Sequence, residues 1–287
     1  MSKTQIRHNI DIFICPICRA DMGIQELKSL VCENGHCFDL SKKGYVNMLS
    51  GPVASKYNRE LFDSRNIINK IGFFDPMIEG IGRLIHKFRG NTGTNKVKIL
   101  DMGCGEGSNL ARLINMLNRD NPFDYLGVGV DISKEGIKMA SGNYPDIIWC
   151  VADLTKTPFA DKQFNIILNI FTPSNYAEFK RIIADDGLVI KVVPGNGYLS
   201  ELRRLFYDKT GKQTYSNEPV IKLFGNNFNP LETQQLQYKV KIDNENMRHL
   251  IKMTPLSWGA TDIGIQKAID RGIDSITVDV TIMLGKK

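Results

Sequence analysis

Residues 99–109, "ILDMGCGEGSN", constrain the chain more than any other stretch of similar length. An apolar run ends in Asp101, and Gly103, Gly105 and Gly107 follow before an amphipathic segment over 107–119. The pattern predicts a strand, a tight turn and a helix. Glycines at such a turn let the backbone approach a ligand, and the helix N-terminus favours polar or negative groups. A dinucleotide fingerprint is G-x-G-x-x-G/A, which counted from Gly103 puts its third small residue at Ser108. The spacing here is G-x-G-x-G instead, with an acid two residues before the first glycine.

Downstream, apolar runs alternate with amphipathic stretches. Strands are predicted at "VKILDMG", "YLGVGVD", "IIWCVAD", "FNIILNIF" and "GLVIKVV", with helices over 133–143 and around 176–184. That alternation argues a parallel, doubly wound sheet. Near the end, "QQLQYKVKI" and "SITVDVTIML" alternate with period two around a helix-like "NENMRHLIKM". Upstream, 58–71 and 77–88 show helical spacing broken by Gly72 and Pro76, and "RGNTGTN" over 89–95 is a loop. The expected division is therefore 1–50, a helical linker over 51–95, and 96–287.

Two further acids close strands: Asp131 the second and Asp153 the third. Each alone reads equally well as a turn or helix-capping Asp. Three acids at successive strand ends, with the glycine loop on the first, resemble the D-x-G-x-G-x-G layout of class I S-adenosylmethionine-dependent methyltransferases. The resemblance implies a Rossmann-like α/β fold with a seven-stranded sheet that gains an antiparallel strand late. It also implies a backbone cradle at Gly103, Gly105 and Gly107, with Asp101 ordering the loop and the methionine amino end. Asp131, followed by Ile132, would meet the ribose; Asp153, followed by Leu154, would meet the adenine.

The N-terminus has a different chemistry. Cys15 and Cys18 form C-x₂-C, and Cys32 and His36 form C-x₃-H thirteen residues further on, with Cys37 a fifth possible ligand. Paired spacing of this kind suits tetrahedral Zn²⁺. A fully ligated site leaves no position for an activated water, so the metal, one per chain, is expected to be structural. A segment of about 50 residues buries too little surface to fold without such a staple. Cys104 and Cys150 read as small core residues, and His8, His86 and His249 as surface or satisfied core histidines.

Composition adds bounds. An apolar content of 42% suits a folded chain, and no run approaches the ~18 residues of a membrane span. The first residues lack the layout of a signal peptide, so a cytoplasmic location is expected. The net charge of +6 is uneven: residues 1–96 carry 14 Lys and Arg against 9 Asp and Glu. A basic, metal-stapled segment is read either as an ordinary solvated surface or as a phosphate-attracting module.

"CPIC…VCENGHCFDLSKKGYVNML", followed by "DMGCGEG", "VDIS" and "MTPLSW", resembles one family over nearly the whole chain. It is the 23S rRNA (guanine-N1)-methyltransferase family, which includes rRNA large-subunit methyltransferase A and macrolide-resistance enzymes. The resemblance implies zinc ligands at Cys15, Cys18, Cys32 and His36, leaving Cys37 surplus. It implies S-adenosylmethionine as methyl donor, a hairpin in domain II of 23S rRNA as substrate, a homodimer, and a zinc unit that helps recognise RNA. After the fourth strand, "NIFTPSNY" lacks the Pro-Pro-aromatic signature of exocyclic-amine methyltransferases, which favours a ring nitrogen. Asn169 and Pro173 are the candidates there, Asn169 either orienting the acceptor or serving a structural role at the strand end, and Trp258 either stacks on a base or packs. Two other classes are weighed: a small-molecule methyltransferase whose zinc is purely structural, and a nucleic-acid-binding protein with a vestigial cofactor fold.

Overall fold

The computed structural model describes residues 2–49, 51, 57–88, 96–120, 123–207, 215–259, 262–270 and 272–287. The loop expected over 89–95 lies outside them.

After helix α1 (Ser2–His8), three short strands, β1 (Met22–Gln25), β2 (Ser29–Cys32) and β3 (Cys37–Asp39), form an antiparallel sheet. Strand β4 (Val46–Asn47) leaves this unit and pairs in parallel with β7 (Ile148–Val151), matching Val46 to Cys150 and Asn47 to Val151. Upstream, Phe13 bridges to Phe159, their rings 5.6 Å apart, and the Ala160 amide donates to the Ile12 carbonyl at 2.9 Å. Ile12, Phe13, Val46 and Met48 share one buried cluster with Val128, Ile148 and Cys150. The N-terminal unit is therefore built onto one edge of the main sheet and uses its core.

Helices α2 (Arg59–Lys70) and α3 (Asp75–Phe88) follow. Asn58 caps α2 by accepting from the Leu61 amide at 2.9 Å, and Gly72 (φ 80°) turns the chain between the helices. Pro76 stands in the first turn of α3, where its missing N–H costs nothing.

The main sheet is completed by β5 (Lys96–Met102), β6 (Asp124–Asp131), β8 (Phe164–Ile170), β9 (Ile183–Pro194), β10 (Asn229–Lys241) and β11 (Ser275–Lys286). Its order is β10-β11-β9-β8-β5-β6-β7-β4, with β11 antiparallel to both neighbours and all pairs from β9 to β4 parallel. Seven of these strands form the expected class I methyltransferase sheet; the eighth is β4. Between the strands run α4 (Ser108–Asp120), α5 (Lys134–Asn143), α6 (Tyr176–Ile182), α7 (Ser200–Phe206), α8 (Glu218–Gly225), α9 (Asn244–Met253) and α10 (Asp262–Asp270).

The period-two pattern of the last strands has two different outcomes. Edge strand β10 alternates between exposed and half-buried positions, as a one-sided strand does. Strand β11 is buried on both faces, and its polar residues find partners inside. Thr277 donates to Glu201 at 2.6 Å, Asp279 accepts from the Gly197 amide at 2.7 Å, and Thr281 accepts from Asn217 at 2.9 Å. These bonds hold the chain that leaves β9 against the strand ends.

Candidate active site and metal centre

The parallel strands carry their loops to one rim of the sheet, and the glycine loop lies at its centre, between β5 and α4. Amides of Gly103 and Cys104 both donate to the Val130 carbonyl, at 2.8 and 3.1 Å. Gly103 (φ 88°) and Gly107 (φ 83°) adopt conformations that favour glycine, and neither has room for a side chain. A Cβ on Gly103 would sit 2.4 Å from Thr172 Cγ2, and one on Gly107 would sit 2.4 Å from the Trp149 ring. Asp131 braces the same loop: Oδ2 accepts from the Gly105 amide and Oδ1 from the Ser133 amide, both at 2.8 Å.

Acids crowd this cradle. Asp101 is buried, its Oδ1 has no hydrogen-bond partner, and burial with the charges of Asp131 and Glu106 pushes its carboxyl up to about 8. Burial also raises Glu106 and Asp131. Glu106 accepts from Asn69 Nδ2 at 3.0 Å, and Arg65 stands 3.9 Å from its other oxygen. Three carboxyls around one loop, answered by one guanidinium and with an orphaned oxygen, suit a cationic ligand. S-adenosylmethionine carries two positive centres, a sulfonium and an ammonium, so these residues fit that cofactor. Cys104 lies in the loop with its thiol held protonated by burial, which excludes it as a resting thiolate.

Asp153 follows β7 at the same rim, where Oδ1 accepts from the amide and hydroxyl of Thr155, each at 2.8 Å. That is the turn role open to any strand-end Asp. Ile132 and Leu154 flank the two acids and are half-buried.

Asn169 ends β8 and is fully buried. Its Nδ2 donates to the carbonyls of Met102 (3.2 Å) and Pro173 (3.4 Å), and its Oδ1 accepts from Ser174 (2.9 Å) and Lys191 (2.5 Å). All of its hydrogen-bonding capacity is used inside the protein, so it shapes the 169–174 loop. Pro173 is exposed on that loop.

Lys191 is the residue that sequence reasoning missed. It is 4% exposed, yet its Nζ meets only neutral acceptors: Asn169 Oδ1, Ser174 Oγ at 2.7 Å and the Thr172 carbonyl at 3.1 Å. Burial lowers its ammonium to about 8. A signal was present, since Lys191 is the one charged residue in the apolar run "GLVIKVV".

In the N-terminal unit, the ligand atoms of Cys15, Cys18, Cys32 and His36 all lie within 4.8 Å of one another. His36 Nδ1 is 3.5 Å from Cys15 Sγ and 3.4 Å from Cys32 Sγ, and the Cys18 and Cys32 sulfurs are 3.7 Å apart. Each pair sits on its own tight turn. Arg19 (φ 66°) closes the first by donating to the Cys15 carbonyl, and Gly35 (φ 78°) closes the second by donating to Cys32. Asn34 donates to Cys18 Sγ at 3.3 Å and helps bring that thiol down to about 6, toward the thiolate a metal needs. The donor set suits tetrahedral Zn²⁺. Cys37, one residue beyond His36, lies on β3 outside the group and is exposed.

Comparison with known proteins places both halves. The family described as "RlmA, N-terminal", a zinc ribbon, matches residues 13–59, and "Methyltransferase domain" matches residues 99–187. YxjB of Bacillus subtilis (strain 168), provisionally named a 23S rRNA (guanine-N(1)-)-methyltransferase, is 42% identical over 97% of this chain and 98% of its own. The chain belongs to that family. The 23S rRNA (guanine(748)-N(1))-methyltransferase of Streptomyces fradiae is 27% identical over 96% of this chain and 97% of its own. Among solved structures, YcgJ of Bacillus subtilis aligns with a TM-score of 0.45 at 18% identity, covering 73% of this chain and 98% of that one. The family matches and the sheet order make the chain an S-adenosylmethionine-dependent class I methyltransferase with an N-terminal zinc ribbon. Among the described residues, no helix is long and apolar enough to cross a membrane.

Proposed function

We propose that the protein transfers a methyl group from S-adenosylmethionine to N1 of a guanine in a hairpin of domain II of 23S rRNA. The observation that carries this reading is the end-to-end likeness to YxjB, which spans both zinc ribbon and cofactor cradle. A small-molecule enzyme has no use for a ribbon built onto the sheet edge beside β7.

The cofactor supplies an electrophilic methyl carried on sulfur. Gly103, Gly105 and Gly107 give it a backbone cradle, and Asp101 holds its amino end. Asp131 with Ile132 takes the ribose, and Asp153 with Leu154 the adenine. The acceptor nitrogen must lose its proton as the methyl arrives in line, so the loop facing the donor has to be rigid. Lys191 and Asn169 provide that rigidity for residues 169–174. The buried ammonium also sets a positive potential beneath the loop, which favours the deprotonated, anionic guanine.

Cys15, Cys18, Cys32 and His36 hold one structural Zn²⁺. Residues 1–50 form the RNA-recognition unit, 51–95 the connecting helices and 96–287 the transfer domain. The enzyme works as a homodimer in the cytoplasm, and its products are methylated 23S rRNA and S-adenosylhomocysteine. Incubation with undermethylated rRNA and labelled S-adenosylmethionine tests the reading: label enters 23S rRNA, whereas label confined to small molecules contradicts it.

A further inference from the structure

Among the described residues, Trp258 and Tyr57 are large aromatic side chains left facing solvent, 51% and 39% exposed, with rings 5.7 Å apart. Single exposed aromatics are ordinary, whereas a contiguous pair calls for an occupant. This pair is also connected inward. The Tyr57 ring lies 6.3 Å from Phe62, and Phe62 packs on the glycine loop: a Cβ on Gly105 would start 3.5 Å from its ring. Arg65 sits 5.9 Å above the other end of the same ring system, over Phe62. A run of aromatic rings therefore leads from the surface to the cofactor cradle. Beside Trp258, a cleft is lined by Asn58, Glu60, Leu61 and Lys252, and its two charges neutralise each other at 2.6 Å.

The chemistry of the acceptor says what such a surface would hold. Guanine N1 lies on the Watson–Crick edge and is reachable only when the base is unpaired and drawn out of its stack. Its neighbour then loses a stacking partner, and sequence-tolerant recognition of such a base uses a flat aromatic face. A charge-balanced cleft rimmed by Trp258 suits a neutral planar base better than a phosphate. We propose that Trp258, backed by Tyr57, is the platform on which an unpaired base next to the target guanine stacks. The inference rests on the RNA-methyltransferase reading above.

The protein carries its own probe. It has two tryptophans, and Trp149 is fully buried, so quenching by an added ligand at the surface reports on Trp258. Titrating the full chain with a domain II hairpin transcript should quench its emission, and Trp258→Phe should abolish the RNA-dependent signal. In steady-state assays Trp258→Ala should raise KM for the transcript about five- to hundred-fold, the range of one base–aromatic stack. The kcat should stay within about twofold, and Trp258→Phe should recover most of the loss. Circular dichroism and cofactor affinity unchanged from wild type show that the variants are folded. An unquenched spectrum, with KM unaltered in an Ala variant of an enzyme that does methylate rRNA, overturns the platform. If the wild type transfers no methyl to rRNA, the functional reading falls, and the quenching titration still decides the stacking site.

Discussion

Lys191 Nζ lies 2.5 Å from Asn169 Oδ1, and that bond joins two parallel strands beneath the 169–174 loop, whose Thr172 packs against Gly103. A buried ammonium with no carboxylate costs stability, so its position is one the fold retains at a penalty.

Lys191→Met should therefore cripple transfer while sparing the fold. It removes three donors from Asn169, Ser174 and the Thr172 carbonyl, and with them the rigidity of 169–174. The expected result is a kcat lower by about tenfold or more, the scale of a misplaced acceptor, with cofactor affinity little changed. The lysine also sets a pH signature. Its folded value of about 8 lies below the usual 10.5, so the unfolded chain binds more protons between those values. Stability contributed by this group rises from about pH 8 to 10.5, and the Met variant should lose that rise in denaturant titrations.

Asp101 makes the opposite prediction. Its folded value of about 8 lies above the ordinary 3.8, so in the free protein its share of stability falls as pH rises across that window. At pH 7 the carboxyl is mostly protonated. Pairing with the cofactor's ammonium requires the carboxylate, so binding should release close to one proton. Calorimetry in buffers of different ionisation heat measures it directly. Asp101→Asn should abolish the release and flatten the pH dependence of affinity.

Asp131→Ala should weaken cofactor binding by about 1–3 kcal/mol, the cost of leaving buried polar groups unpaired. The loss has two sources, because Asp131 also fixes the Gly105 amide before any ligand arrives. Isothermal titration decides it, and an unchanged Kd removes the assignment.

Cys37→Ser should keep one zinc per chain, whereas Cys32→Ser should lose it, as read by metal analysis of the purified protein. Chelation should also raise hydrogen exchange beyond the ribbon. β4 pairs with β7, so lost protection should spread to Ile148–Val151.

Much of this was written locally in the chain. Glycines 103, 105 and 107, the acids closing three strands and the two ligand pairs each belong to a short local pattern, so spacing alone exposes them even where their partners, such as Asp131 for Gly105, are distant. The missing parts depend on distance along the chain. Val46–Asn47 is too short for any periodicity to mark it as a strand, and its partner is a hundred residues away. Asn169 and Lys191 meet only through parallel register. "SITVDVTIML" alternates like a half-exposed strand, yet Glu201, Gly197 and Asn217 bond to Thr277, Asp279 Oδ2 and Thr281 and help it lie at the interior of the sheet. Trp258 and Tyr57 become a pair only once α9 packs on α2.

The most direct test of the central claim is mass mapping of 23S rRNA from cells lacking the enzyme, before and after treatment with the purified protein and S-adenosylmethionine. One guanine in a domain II hairpin should gain a single methyl at N1. No methyl on 23S rRNA, or one on an exocyclic amine, would contradict it.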